Sequence, residues 1–431
     1  MIKKFCFVGL ICGSFAFLSF NVNAQTSPLA VLGTTSASVP PVLPTLPNAA
    51  VSTSINPTVD APKPDVPSIA MPTVTIPSAP TLDVKAYVLM DAATGKVLAS
   101  YNPDQRLAPA SLTKMMTAFV VSMALHNDKV HLNDAVPITE KAWRTGGSKM
   151  FVKVNTSVPV SELMQGIIVD SGNDACVAMA EDVAGSEEAF ALMMNQTAAA
   201  LGMTGSHFID STGLPNPDHY STAADLSVLA RALIYDFPEH YQWYSQKWFS
   251  YNGIKQPNRN RLLWRDNSVD GVKTGHTDEA GYCLVSSAQR NGVRLIAVIM
   301  GAPTDAARAD DSQRLLDYGF RYFETHLLYP AKIVLSHVRV YQGRQNTVAA
   351  GLDQAFVVTV LPGQYGQLQL HLQLNANSLH APVAKGQVLG ELAVTLKGKE
   401  IDKAPVVALE DDALGNWWQR LWDRIVLFFH H

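Results

Sequence analysis

The sequence predicts an α+β domain, followed by a small all-β domain and a C-terminal amphipathic helix. Three observations carry this. Strand-like apolar runs open and close the first folded stretch, with helical periods between them. Past Tyr329 the helical period gives way to short β-rich runs separated by turn residues. The final segment repeats large apolar residues on one helical face.

Two segments precede the folded chain. In residues 1–24, Lys3 and Lys4 form a positive region, Phe5 to Phe20 an apolar one, and Val22-Asn23-Ala24 a small-residue cleavage site. This is the pattern of an export signal peptide. From Gln25 to Leu82 there is no aromatic residue, and 12 of the chain's 25 prolines fall here. Such a stretch buries too little surface to offset its ordering entropy, so a disordered, proline-rich linker is expected over 25–82.

The first domain is expected over 83–328. Ala86 to Met90 and Lys96 to Ala99 flank a Gly95 turn and read as a β-hairpin. Leu112, Met115, Met116, Phe119, Val120 and Met123 then recur at helical spacing, which buries one face. Val160 to Val169, Asp174 to Ala184, Phe190 to Leu201 and Ala223 to Tyr235 read as helices. Asp210 to Tyr220 is a Pro/Gly-rich loop. Gly281 to Ala288 and Val293 to Met300 are apolar strands joined at Asn291-Gly292, a hairpin signal. Asp305 to Glu324 reads as a helix.

The β-rich domain is expected over 329–410, with strands at Val334–Tyr341, Ala355–Leu361, Leu368–Leu374, Val388–Leu396 and Val406–Leu409. In 411–431, Leu414, Trp417, Trp418, Leu421, Trp422, Ile425, Phe428 and Phe429 share one helical face, opposite Asn416, Gln419, Arg420, Asp423 and Arg424. A helix from Leu414 to Phe429 spans roughly 24 Å, too short to cross a bilayer. Its tryptophans and arginines suit a helix lying in a membrane interface.

Charged residues make up 16% of the 431 and the formal net charge is −4, which argues against a nucleic-acid partner. Cys6 and Cys12 fall in the signal. Cys176 and Cys283 are too few for a disulfide framework and sit in apolar sequence, so buried thiols are expected. The 12 histidines are scattered, with no metal-ligand spacing, and no metal or other cofactor is expected.

Three short motifs carry chemistry. Ser111 opens the first buried helix and Lys114 lies one turn on, within reach of its hydroxyl. The free N–H groups of that turn favour an oxyanion. Ser171-Gly172-Asn173 forms a turn before a helix. Lys273-Thr274-Gly275 occurs once and would arise by chance about one time in ten. Ser-x-x-Lys, Ser-x-Asn and Lys-Thr-Gly in this order characterise β-lactamases and penicillin-binding proteins.

The chain resembles the serine-type D-Ala-D-Ala carboxypeptidases, the low-molecular-mass penicillin-binding proteins. The resemblance runs from about Leu82 to the C-terminus. It rests on the motif surroundings Pro109-Ala-Ser-Leu-Thr-Lys-Met-Met, Ser171-Gly-Asn-Asp-Ala-Cys-Val-Ala-Met-Ala and Asp270-Gly-Val-Lys-Thr-Gly-His-Thr-Asp, and on the Trp-rich terminal helix ending in His-His. The proline-rich insert departs from the family pattern. The resemblance implies a penicillin-binding, β-lactamase-like serine acyltransferase fold. It also implies cleavage of peptidoglycan stem peptides ending in D-Ala-D-Ala through an acyl-enzyme on Ser111, with β-lactams as covalent inhibitors. Lys114, or a Ser171 relay, would take the serine proton. Asn173 would meet the substrate amide, and Lys273 would stand as a second cation lowering the Lys114 pKa. The N–H groups of Ser111 and His276 would form the oxyanion hole, with Gly275 beside them. Thr274 and Arg308 would hold the terminal carboxylate. The implied location is periplasmic, on the outer face of the inner membrane, held there by Leu414–Phe429.

Three other readings share these residues. A β-lactamase would need a carboxylate to activate water, and the 210–220 loop offers Asp210 and Asp218. A non-catalytic wall-binding scaffold would have no use for Lys114 and Lys273 together. A D,D-endopeptidase cutting D-Ala–diaminopimelate cross-links would use the same mechanism.

Overall fold

The computed structural model describes residues 77–376 and 378–429. The targeting segment and most of the proline-rich segment therefore lie outside the described residues. The described chain is already packed before Asp83. Tyr318 Oη donates to the Pro77 carbonyl at 3.1 Å, and Arg314 Nη2 to that of Thr81 at 3.3 Å.

A five-stranded antiparallel sheet organises the first domain. Its spatial order is Val97–Tyr101, Ala86–Asp91, Val293–Ala302, Gly281–Arg290, Val269–Thr277. The central strands are covered on both faces, which is why their sequences read as unbroken apolar runs. Alternate residues explain the two sides. Leu89, Leu295, Ala297 and Ile299 pack with Leu315 and Leu316 of the Asp305–Tyr322 helix. Val88, Ile296, Val298 and Met300 pack with Met115 and Met116 in the helical insert.

The helical insert differs from the sequence reading in one respect. Its central helix, Lys114–His126, is buried on nearly all sides, Ala118, Val121 and Ser122 included. It sits between the sheet and the outer helices, so burying one face alone was too weak an expectation. A turn of π-helix, Gly166–Asp170, links Val160–Gln165 to Asn173–Ala184. Between the insert and the last three sheet strands lie a short hairpin, Trp248–Tyr251 with Ile254–Pro257, and a helical turn, Leu262–Arg265.

The helix read as Asp305–Glu324 stops at Tyr322. Glu324–Tyr329 is a strand pairing with Phe356–Val360. A six-stranded sheet completes the second domain, including two strands the sequence reading did not mark, Thr347–Gly351 and Ser378–His380. Val338, Val348, Phe356, Leu392 and Val406 fill its core. The hairpin turn of the first domain docks on it through Lys96 Nζ to the Thr359 carbonyl at 3.1 Å, and through Thr94 and Thr359 hydroxyls 2.8 Å apart.

The last helix, Trp417–Phe429, is held by its polar side. Asp423 is buried, accepts from the Gln342 N–H and lies 3.7 Å from Arg339. Trp417, Trp418 and Trp422 are exposed, with Trp422 at 68%. Among the described residues, no helix is long and apolar enough to cross a membrane.

Candidate active site

Ser111 stands in a 3-10 turn, Ala110–Thr113, that feeds the buried helix. Ala110 before it has φ 49°, and Ser171 has φ 62°. Left-handed backbone at two non-glycine residues in one cleft is strain held by surrounding contacts. Glycines make room for the serine turn. A Cβ on Gly275 would lie 2.9 Å from the Pro109 carbonyl oxygen, and one on Gly213 would lie 1.9 Å from that of Ala110.

Lys114 is 1% exposed. Its Nζ donates to Ser111 Oγ at 3.0 Å and to the Thr212 carbonyl at 2.6 Å. Burial pushes its ammonium below the usual lysine range. Arg259 adds to this, while Cys176, Asp210 and Asp174 pull the other way. Lys273 is also buried, and its Nζ donates to Ser171 Oγ at 3.0 Å and to the Thr274 carbonyl at 3.2 Å. Burial, then Lys114 and Arg259, hold Lys273 well below its ordinary value. Two buried amines whose charged forms are disfavoured thus flank two hydroxyls. This arrangement can move a proton off a serine at neutral pH.

The Ser171 turn is locked by Asp174. Its carboxylate accepts from the N–H groups of Met150, Phe151 and Val152 at 2.8, 2.8 and 3.1 Å. Asn173 donates its side-chain amide to the Gly146 carbonyl at 2.7 Å, and its backbone N–H to that of Ser148 at 2.7 Å. The Gly146–Ser148 loop therefore closes one wall of the cleft.

Thr274, Gly275 and His276 lie on Val269–Thr277, the edge strand of the sheet. An edge strand offers unpaired backbone groups to an extended peptide. The His276 ring packs on Tyr282, with centroids 4.0 Å apart. Ser111, Gly147, Ser148, Ser171, Arg259, Thr274, Gly275, His276 and Arg308 together line a cleft of about 380 Å³.

Arg308 reaches this wall with three contacts from its guanidinium. Nη1 donates to the Gly275 and Cys283 carbonyls at 2.9 and 3.3 Å, and Nη2 pairs with Asp305. The sequence reading made this guanidinium a bidentate clamp for the terminal carboxylate; it lines the cleft, and it also braces the edge strand. Arg259, which that reading missed, is exposed and donates Nη1 to Ser148 Oγ at 2.8 Å. Two buried asparagines present it. Asn258 Nδ2 donates to the Gln246 carbonyl at 3.0 Å, and Asn260 Nδ2 to that of Gly271 at 2.8 Å. The Asn258-Arg259-Asn260 triplet was the signal available in the sequence.

The 210–220 loop braces the serine from below. Asp210 Oδ1 accepts from Thr212 N, Thr212 Oγ1 and Gly213 N at 2.7, 2.8 and 2.7 Å. Burial pushes the Asp210 carboxyl up, but His219, Thr212 and Gly213 outweigh it and hold it below the usual carboxylate range. His219 Nε2 lies 2.9 Å from Thr113 Oγ1. Asp210 thus fixes the Thr212 carbonyl on Lys114. Cys176 and Cys283 are buried free thiols.

Asp170, next to Ser171, is buried, and neither carboxylate oxygen has a hydrogen-bond partner among the described residues. Burial, with Asp174 adding, pushes its carboxyl up to about 7 from 3.8, against Arg259, the nearby Gln256 side chain and Lys273. A folded value above the unfolded one means the folded chain keeps a proton that the unfolded chain releases. Stability from this group is present at low pH and is lost as pH rises from about 4 to about 7. Asp170→Asn should therefore raise Tm at pH 8 by a few degrees, each kcal/mol being worth roughly 2–4 °C. The gain should shrink at pH 5. Melting curves at both pH values test this, and an equal gain at both would refute it.

Comparison with known proteins agrees with this geometry. The family described as D-alanyl-D-alanine carboxypeptidase matches residues 73–304, and that described as penicillin-binding protein 5, C-terminal domain, matches 323–413. The chain is 45% identical to D-alanyl-D-alanine carboxypeptidase DacC of Escherichia coli (strain K12), over 82% of this chain and 90% of that protein. Among solved structures, penicillin-binding protein 5 from Haemophilus influenzae superposes with TM-score 0.73 at 43% identity, covering 78% of this chain and 99% of that one. Penicillin-binding protein D2 from Listeria monocytogenes, in its ampicillin-bound form, gives TM-score 0.53 at 30% identity, covering 57% of this chain and 100% of that one. The chain belongs to the D-alanyl-D-alanine carboxypeptidase family of serine peptidases.

Proposed function

We propose that this enzyme removes the terminal D-alanine from peptidoglycan stem pentapeptides through an acyl-enzyme on Ser111. The observation that carries the reading is Lys114 Nζ, buried and 3.0 Å from Ser111 Oγ. Lys114 takes the serine proton as Oγ attacks the penultimate D-Ala carbonyl. The N–H groups of Ser111 and His276 receive the oxyanion. Ser171, bonded to Lys273, passes the proton to the leaving amine, and Asn173 orients the substrate amide. Water then hydrolyses the ester. The stem peptide lies along the edge strand as an added β-strand. β-Lactams acylate the same serine, a reading supported by the ampicillin-bound relative.

Incubation with a fluorescent penicillin, followed by an assay of D-Ala release from a stem pentapeptide, tests this. Stable labelling with D-Ala release is expected. Label lost within seconds would overturn it in favour of a β-lactamase, although Asp210 is already committed to its own loop.

Thr274 and Arg259 hold the terminal carboxylate, with Arg308 bracing the strand behind them. Arg259→Gln should raise KM for the pentapeptide by about 10–100-fold, the worth of one charge-assisted hydrogen bond. A C-terminally amidated substrate should show no such difference. An unchanged KM would return the role to Arg308.

The remaining assignments concern location. The protein is periplasmic and rests on the outer face of the inner membrane through Leu414–Phe429, whose apolar side faces outward while Asp423 anchors the polar side. The proposed division is a signal over 1–24, a linker over 25–76, a catalytic domain over 77–322, a β-domain over 323–410 and the anchor over 411–431; the expected bounds at 82 and 328 shift because Pro77 and Thr81 already pack on the first domain and Glu324–Tyr329 pairs in the second. Deleting 416–431 should release active enzyme from membranes. Lost activity without release would refute the interfacial helix.

A further inference from the structure

One buried acid has no part in the chemistry above. Asp170 ends the π-helical turn, Gly166–Asp170, and its backbone runs directly into the left-handed Ser171. It is 1% exposed, and both carboxyl oxygens lack a hydrogen-bond partner among the described residues. Roughly 90% or more of buried polar groups are hydrogen-bonded, so an orphan beside the relay serine calls for a role. Asp174, one turn further on, shows what a structural carboxylate does here: it takes three backbone N–H groups.

The charge that lacks a counter-ion lies across Ser171. Lys273 is buried, and both hydrogen bonds of its Nζ go to neutral oxygens, Ser171 Oγ at 3.0 Å and the Thr274 carbonyl at 3.2 Å. A buried ammonium without an opposite charge is costly, and its charged form is correspondingly disfavoured. Lys273 is close enough to act on the Asp170 carboxyl. Coulomb attraction is mutual, so an Asp170 carboxylate favours the Lys273 ammonium. Arg259 acts on Asp170 as Lys273 does, and Asp174 opposes both. The nearby Gln256 side chain is held by the Lys149 carbonyl at 2.9 Å. The elements packed on the turn also carry Lys114, Glu162, Cys176, Tyr244, Tyr251 and the exposed Lys255. Burial keeps the thiol and the two phenols neutral.

We infer that Asp170 is a positioning residue of the Ser171–Lys273 pair: its carboxylate holds Lys273 in the charged, donating form and so sets the alkaline limit of D-Ala release. This rests on the carboxypeptidase reading and assigns the source of the relay's proton. A charged lysine can only donate. Ser171 Oγ then accepts from it, and the serine's own hydroxyl proton is free to meet the leaving amine. As the C–N bond breaks, that proton passes to the amine and Lys273 refills Ser171 Oγ. Lys114 now holds the proton from Ser111 and Lys273 lacks one; one proton given up by Lys114 and one taken up by Lys273 restore both. A neutral Lys273 would instead accept the Ser171 hydroxyl and turn it from the substrate. Because burial pushes the Asp170 carboxyl up to about 7, its support is present above that pH and absent in acid.

The test is the pH profile of kcat/KM for D-Ala release from a stem pentapeptide by the purified full chain, comparing wild type with Asp170→Asn and Asp170→Glu. Below about pH 6, where Asp170 is neutral, Asp170→Asn should match the wild type within about twofold. Its alkaline limb should lie about one pH unit lower, leaving kcat/KM at least about fivefold down at pH 9. Asp170→Glu keeps the charge and should keep the limb near its wild-type position. The Tm of Asp170→Asn at pH 8 should be no lower than that of the wild type, as where a residue retained for activity costs stability. A loss of equal size at every pH, an unmoved alkaline limb, or a loss that follows a fallen Tm would make Asp170 merely structural and overturn the inference. So would Asp170→Glu behaving as Asp170→Asn. A wild type that releases no D-Ala at any pH would instead overturn the carboxypeptidase reading.

Discussion

Ser111→Ala should abolish both D-Ala release and penicillin labelling, with kcat/KM falling by at least about 10⁴-fold, as expected when a nucleophile that works as a unit with its base is removed. The fold should survive. Lys114 would lose one hydrogen-bond acceptor but keep the Thr212 carbonyl at 2.6 Å, so the buried amine is not orphaned. The neighbouring position in the same turn is already alanine, so a second one fits sterically. Tm should therefore move by no more than a few degrees while activity is lost. The paired measurement is informative because a merely structural serine would give the opposite pattern. Covalent label persisting in Ser111→Ala would place the nucleophile elsewhere and remove the basis of the proposed mechanism.

The parts of this site that the sequence made legible are those whose chemistry sits within a few residues. Ser111 and Lys114 are one helical turn apart, so their contact follows from helix geometry alone. The apolar strands were legible because both faces of the central sheet are covered, which leaves Val293 to Met300 no polar alternation. What escaped was set by distant chain. Arg308 was found by position, but its partners are the Gly275 and Cys283 carbonyls and Asp305, and only the folded edge strand brings these together. Arg259 looked like any loop arginine. It becomes a cleft residue because Asn258 and Asn260 tie its backbone to Gln246 and Gly271. The helix ending at Tyr322 was read too long because Phe323 and the strand after it continue its apolar content without a glycine or proline stop. Burial of the serine helix on all sides was underestimated for a related reason. Thr117 and Ser122 read as polar, but their hydroxyls meet the Ser211 carbonyl and His240 at 2.6 and 2.9 Å.

Lys114→Met should lower kcat/KM by about 10²–10⁴-fold, the usual worth of a positioned general base. Methionine keeps most of the buried length without the amine, so the helix packing is retained. Lys114→Arg separates two roles for the residue. A guanidinium stays charged and cannot accept a proton. It should therefore be as inactive as methionine if Lys114 acts as a base, and largely active if Lys114 only supplies charge. The pH profile gives an independent check. Burial holds the Lys114 ammonium below its ordinary value and Arg259 adds to that effect. A base works above its pKa, so the acid limb of kcat/KM should lie well below the usual lysine range. Lys114 in turn lowers the proton affinity of Lys273, so the two titrations are linked. Removing the nearby cation in Arg259→Gln should let the Lys114 pKa rise, moving the acid limb to higher pH. Arg259 is exposed, so the shift should be small and should diminish with added salt. A limb that moves to lower pH, or does not move at low ionic strength, would mean that the titrating base is neither lysine, since Arg259 lowers both; the comparison of Lys114→Arg with Lys114→Met is what separates Lys114 from the Ser171–Lys273 pair.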